Sequence, residues 1–171
     1  LHPFWGHLLL QVKLLMAPEL EAFAATDCVS RIWFNPTMTR HLSFRQLGFV
    51  VMHELGHILL LSAERRVGRN MQLWNCATDF AINRMVDAVC HPETGLRLYR
   101  SPNGTYPEIG EVKIRLDPKW DGKVAEAIYE RLACEELPEQ RTITVRLPLS
   151  GGDGADGVQI PGVSDHGGGL D

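Results

Sequence analysis

Ser43-Phe44-Arg45-Gln46-Leu47-Gly48-Phe49-Val50-Val51-Met52-His53-Glu54-Leu55-Gly56-His57-Ile58-Leu59-Leu60-Leu61-Ser62 is the stretch on which the reading of this chain turns. It predicts a long apolar helix over about 44–62, with Ser43 placed to cap its start. Glu64-Arg65-Arg66-Val67-Gly68 follows with the cations and glycine that close a helix C-terminus. On such a helix, residues four apart share a face and lie roughly 6 Å apart along the axis. His53 and His57 can therefore offer two imidazole nitrogens to one zinc ion. Glu54 lies about 100° around the helix from His53, so it is aimed as a general base toward water rather than as a third ligand. Two histidines and a glutamate among Phe49, Val50, Met52, Leu55 and Ile58 would carry a desolvation cost without partners. A coincidental His pair is the bland alternative. Gly56 in mid-helix costs roughly 1 kcal/mol relative to Ala, which makes sense where another element packs closely.

A catalytic zinc commonly takes three protein ligands and keeps one position open. The pattern predicts a second helix from about Leu73 to Val89, on which Asn75, Asp79 and Asn83 form a polar stripe at four-residue spacing. Asp79 stands 22 residues past His57, enough chain to finish one helix and return antiparallel. Asp79 is the expected third ligand, with a role orienting a ligand histidine as its alternative. Asn75 and Asn83 suit that supporting role. His41, His91 and His166 compete as ligands. Asp165-His166 interrupts a glycine-rich tail and could cap the open zinc position, although a solvated tail histidine is the simpler reading.

Outward from this centre, residues 4–16 carry helical spacing with Pro18 near their end, and Glu19 to Ala25 could add a helical turn. Cys28 to Phe34 reads as a strand running into the Asn35-Pro36 turn signal. It could pair with an extended peptide at its edge or be a plain core strand. Residues 91–120 are rich in loop formers, Asp121 could cap a helix over Lys123 to Glu136, and Arg141 to Leu147 alternates like a strand. Arg65, Arg66 and Arg69 could bind a substrate carboxylate, or simply complement a helix C-terminus. Tyr99, Tyr106 and Arg84 are candidates to polarise a scissile carbonyl. The fold class expected is α+β, mostly helical: a domain over 1–147 and a tail or linker over 148–171, where eight of 24 residues are Gly.

The bulk properties narrow the partners. A net charge of −4 gives no pull toward nucleic acid or acidic lipid. The apolar run Leu8 to Met16 is broken by Gln11 and Lys13 and is too short to span a bilayer, so no membrane association is expected. Cys28, Cys76, Cys90 and Cys134 form no C-x-x-C pair; Cys28, Cys76 and Cys134 read as small buried thiols in a reducing, cytoplasmic setting. The chain starts without Met, which fits a fragment of a longer protein.

His53-Glu54-Leu55-Gly56-His57 resembles the H-E-x-x-H helix of zincin metallopeptidases. With His2-Pro3-Phe4, Phe34-Asn35-Pro36, Arg65-Arg66, the W-N-x-A-x-D-x-x-I-N run from Trp74 to Asn83, and Ala125-Glu126-Ala127-Ile128-Tyr129, the chain resembles a bacterial metallopeptidase domain that precedes a von Willebrand factor A-like domain. The resemblance covers about residues 2–132. It implies a zincin-like fold, zinc held by His53, His57 and Asp79, Glu54 as base, a VWA-like domain beyond residue 171 and an AAA+ ATPase partner. The function expected is zinc-dependent hydrolysis of a peptide or protein substrate, with Glu54 taking a proton from water that then attacks the carbonyl. The alternative is a catalytically silent, zinc-stabilised interaction module working with those same partners.

Overall fold

The computed structural model describes residues 3–89, 99, 108–109, 112–113 and 116–135. Its architecture is α+β and mostly helical. In chain order the elements are α1 (Pro3–Leu9), β1 (Lys13–Met16), β2 (Ala24–Thr26), β3 (Arg31–Phe34), α2 (Pro36–Thr39), α3 (Phe44–Leu59), α4 (Met71–Asp87), β4 (Glu108–Ile109), β5 (Val112–Lys113) and α5 (Ala125–Cys134). Short 3-10 turns occupy Glu64–Arg66 and Pro118–Trp120. Cys90, His91, Tyr106, Asp165, His166, the segment 141–147 and the glycine-rich tail lie outside the described residues.

The three-stranded sheet has the order β1-β3-β2, with β1 parallel to β3 and β2 antiparallel to it. This corrects three expectations. The helical spacing of residues 4–16 yields only the seven residues of α1, because Lys13–Met16 pairs with Arg31–Phe34 instead. Glu19 to Ala25 forms no helical turn; Ala24–Thr26 pairs with Ile32–Phe34. The strand expected from Cys28 starts only at Arg31, and it lies in the middle of the sheet rather than at an edge. The cause is Asp27, whose Oδ1 accepts from the N–H groups of Val29, Ser30 and Arg31 at 2.9, 2.8 and 2.9 Å and so folds 27–30 into a turn. Cys28 takes φ 59° within it.

Asn35 ends β3 and starts α2: its Oδ1 accepts from the backbone of Thr37 and Met38, while Pro36 fills the first helical position. Ser43 caps α3 as expected, and Gln46 completes the capping box by accepting from the Ser43 N–H. Helix α3 ends at Leu59, three residues short of the expected limit. Helix α4 begins two residues early, because Asn70 caps it by accepting from Leu73 N–H. Helix α5 starts at Ala125 without a side-chain cap, since Asp121 pairs with Arg84 of α4 instead.

Two apolar clusters place these elements. Ile32 and Phe34 of β3, Phe49, Met52 and Leu55 of α3, and Ile82 and Val86 of α4 form the larger one. Ala77 of α4 with Trp120, Ile128 and Leu132 forms the second, between α4 and α5. Helix α4 is thus held from both sides. Gly56 shows how closely: a Cβ there would sit 2.6 Å from Ile82 Cγ2, so the glycine lets α4 approach α3 as its position predicted. Among the described residues Cys28, Cys76 and Cys134 form no disulfide; the first two are half-buried, but Cys134 is exposed at the last residue of α5, correcting its expected burial. Among the described residues no helix is long and apolar enough to cross a membrane.

Candidate metal centre

His53 and His57 project from one face of α3 toward α4, and Asp79 meets them from the middle of α4. His53 Nε2 and His57 Nε2 are 3.1 Å apart, and Asp79 Oδ1 lies 3.5 and 3.3 Å from them. A tetrahedral site with N and O ligands at about 2.0–2.1 Å has edges of about 3.3–3.4 Å, so the three donor atoms are spaced as three corners of one. Two imidazole nitrogens this close repel through their lone pairs unless a proton or a cation lies between them. Two imidazoles and a carboxylate are a donor set suited to a divalent transition metal. Among the described residues this is the one group of three or more His, Cys, Asp or Glu that could hold a metal ion.

Electrostatics bind the three side chains to one another. Burial opposes charge on His53, but the Asp79 carboxylate beside it overrides that and lifts its pKa to about 9. Burial likewise opposes ionisation of Asp79, yet the two histidines hold it well below the usual carboxylate range. Glu54 differs. It is 8% exposed, and burial pushes its carboxyl up from 4.5 against the pull of His53 and His57. That combination, a raised carboxyl next to a cation-binding group, is a frequent sign of acid–base chemistry.

The far sides of both imidazoles are anchored. With Nε2 turned inward, His53 Nδ1–H donates to Asn83 Oδ1 at 2.9 Å, one turn along α4 from Asp79. Phe49 stacks on the His53 ring at 6.4 Å between centroids. His57 Nδ1 is hydrogen-bonded to Ser62 Oγ at 3.3 Å. Asn83 was expected in this role; Ser62 was not. Five residues past His57, Ser62 would not face it on a continuing helix, and it does so only because the chain leaves the helix at Leu60 and turns at Leu61 (φ 51°).

Several other candidates stand elsewhere. His41 is exposed and accepts from Arg40 Nε at 2.9 Å. Arg84 pairs with Asp121. Tyr99 is buried edge-on against Phe49 and over Gly48, in the core rather than at the three donor atoms. Asn75 offers its main-chain carbonyl to Thr78 Oγ1. Arg65 holds Glu126 of α5 through both carboxylate oxygens and donates to Leu60 O at the end of α3, so it serves the helix terminus and a tertiary pair at once. Arg69 stacks over Trp74 and Tyr129.

Fold and site together define a mostly helical α+β domain built around a half-buried His-His-Asp group able to take a metal ion, with a buried acidic residue beside it. The chain belongs to the family described as "Putative metallopeptidase domain", whose profile matches residues 1–163. No curated protein and no solved structure gave a significant match.

Proposed function

We propose that this domain is a zinc-dependent peptidase that uses His53, His57 and Asp79 as ligands and Glu54 as general base. The observation that carries the reading is the near-tetrahedral spacing of the three donor atoms, with buried Glu54 adjacent in sequence to a ligand on the same helix. Zinc fits the mixed imidazole and carboxylate set, and when bound it supplies a Lewis acid that polarises a peptide carbonyl and acidifies water.

The chain's own residues do the rest. Asn83 and Ser62 keep the Nδ1 protons of His53 and His57 turned outward, leaving both Nε2 atoms free for the ion. Glu54 accepts a proton from the attacking water on its carboxylate and returns it to the leaving amine. Its raised pKa brings it closer to the working range of such a base, because burial weakens its preference for the charged form. The substrate class is a peptide or protein.

The resemblance of the Trp74–Asn83 run supports a VWA-like domain in the full protein and an AAA+ ATPase as partner. The test is Glu54→Gln against the parent on a peptide library, with zinc content measured on both. Retained zinc with turnover lowered by about 10²–10⁴-fold is the expected result. Retained zinc with unchanged turnover would refute the assignment and favour a non-catalytic interaction module.

A further inference from the structure

The network behind His57 reaches beyond the ligand shell. Ser62 is 5% exposed and sits in the turn that follows α3. Its N–H donates to His57 O at 3.1 Å, so the serine is tied to the residue it faces by main chain as well as side chain. Its own carbonyl accepts from Trp74 Nε1 at 2.7 Å, a buried bond that reaches across from the first turn of α4. Trp74 is in turn 1% exposed, with Arg69 over its ring at 4.7 Å and Arg65 at 5.8 Å. Arg65 is held by Glu126 of α5.

A serine in an exposed turn would rotate freely among water partners. This one is fixed at its N–H, at its carbonyl and by burial, which leaves its hydroxyl little choice of position. That position puts Oγ 3.3 Å from His57 Nδ1, where it can accept the Nδ1 proton once Nε2 faces an ion. The two ligand histidines of α3 are therefore anchored independently, His53 by α4 through Asn83 and His57 by the α3–α4 turn through Ser62.

We propose that Ser62 is a positioning residue for the metal centre, holding His57 with Nε2 toward the ion, and that Trp74 fixes Ser62 in turn. The proposal rests on the metal reading of His53, His57 and Asp79. Outer partners of ligand histidines typically contribute 10–100-fold in metal affinity. The 3.3 Å bond is longer than its 2.9 Å counterpart at His53, which places the expected effect at the lower end of that range.

The experiment measures zinc affinity by competition with a chromophoric chelator for the parent, Ser62→Ala, Trp74→Phe and Leu132→Ala, together with the urea stability of each metal-free protein. Leu132 is buried between α4 and α5, outside the network, and reports what a loss of stability alone does to affinity. The expected result is zinc binding about tenfold weaker in Ser62→Ala. Trp74→Phe, which keeps the ring and removes the indole N–H, is expected to weaken binding by a smaller factor. Leu132→Ala is expected to lose stability without a matching loss of affinity. Parent-like affinity in Ser62→Ala overturns the proposal and leaves the metal reading standing. So does affinity that merely follows stability across all three variants. A parent that binds no zinc refutes the metal reading itself.

Discussion

Gly56→Ala is the perturbation that best separates close helix packing from local helix preference at this site. A Cβ at position 56 would lie 2.6 Å from Ile82 Cγ2, 3.2 Å from Ile82 Cγ1 and 3.3 Å from Met85 Cε. Ordinary carbon contacts are about 3.5–4.0 Å, so the nearest pair falls short by about 1 Å. Met85 can swing away. Ile82 cannot do so cheaply, because it is fully buried and β-branched with a stiff χ1. Overpacking of this kind costs about 1–3 kcal/mol, and the better helix propensity of Ala returns about 1 kcal/mol. The net expectation is a loss of up to about 2 kcal/mol.

The same displacement acts on the site, because His57 follows Gly56 on α3 and Asp79 precedes Ile82 by one turn on α4. Moving the helices apart by much of that 1 Å would stretch the 3.3 and 3.5 Å gaps from the histidines to Asp79 beyond what one ion can bridge at normal ligand distances. Urea unfolding of the metal-free protein and zinc competition on the folded protein read the two effects separately. A double-mutant cycle with Ile82→Ala should show a coupling of at least about 1 kcal/mol, since removing the obstructing methyls relieves the clash. A Gly56→Ala protein more stable than the parent, with unchanged zinc affinity, would refute the reasoning and leave only helix propensity in play.

Asp79→Asn should retain the fold but weaken zinc binding by more than about a hundredfold, since loss of a ligand must exceed the 10–100-fold typical of its supports; parent-like affinity by chelator competition would remove Asp79 from the ligand set. The Arg65–Glu126 pair predicts part of the acid limb of stability. The Arg65 guanidinium holds the Glu126 carboxyl below its ordinary 4.5. A carboxyl depressed in the folded state stabilises above its unfolded pKa and loses that contribution as pH falls through the folded value. Arg65→Met should therefore flatten the stability profile below about pH 4.5, by a small amount because the pair is a third exposed; an unchanged profile in urea titrations would count against the pair.

The H-E-x-x-H spacing was sufficient by itself to turn two histidines toward one point, because a helical turn repeats nearly every four residues wherever the helix sits. Ser43 as a cap, Gly56 as a point of close approach and Asp79 as the acid on the returning helix were legible for similar local reasons: each depends on chemistry within one element or on a chain length that permits one turn. The spacing of apolar residues along the chain also carried the mostly helical α+β class.

What sequence pattern missed depended on partners distant in the chain. Lys13–Met16 has helical spacing and became a strand because Arg31–Phe34 offered it a parallel ladder. Asp27 turned the start of an apparent strand into a hairpin by gathering three amides. Asp121 left a helix cap for an ion pair with Arg84. Ser62 carried no signal at all, since its contact with His57 exists only after α3 stops, the chain turns through Leu61 and Trp74 returns to fix the turn. Local periodicity determines which atoms an element can present; which of them meet is decided by the packing of α3, α4 and α5 and by the sheet's pairing, where the interacting groups lie tens of residues apart and no short-range pattern encodes them.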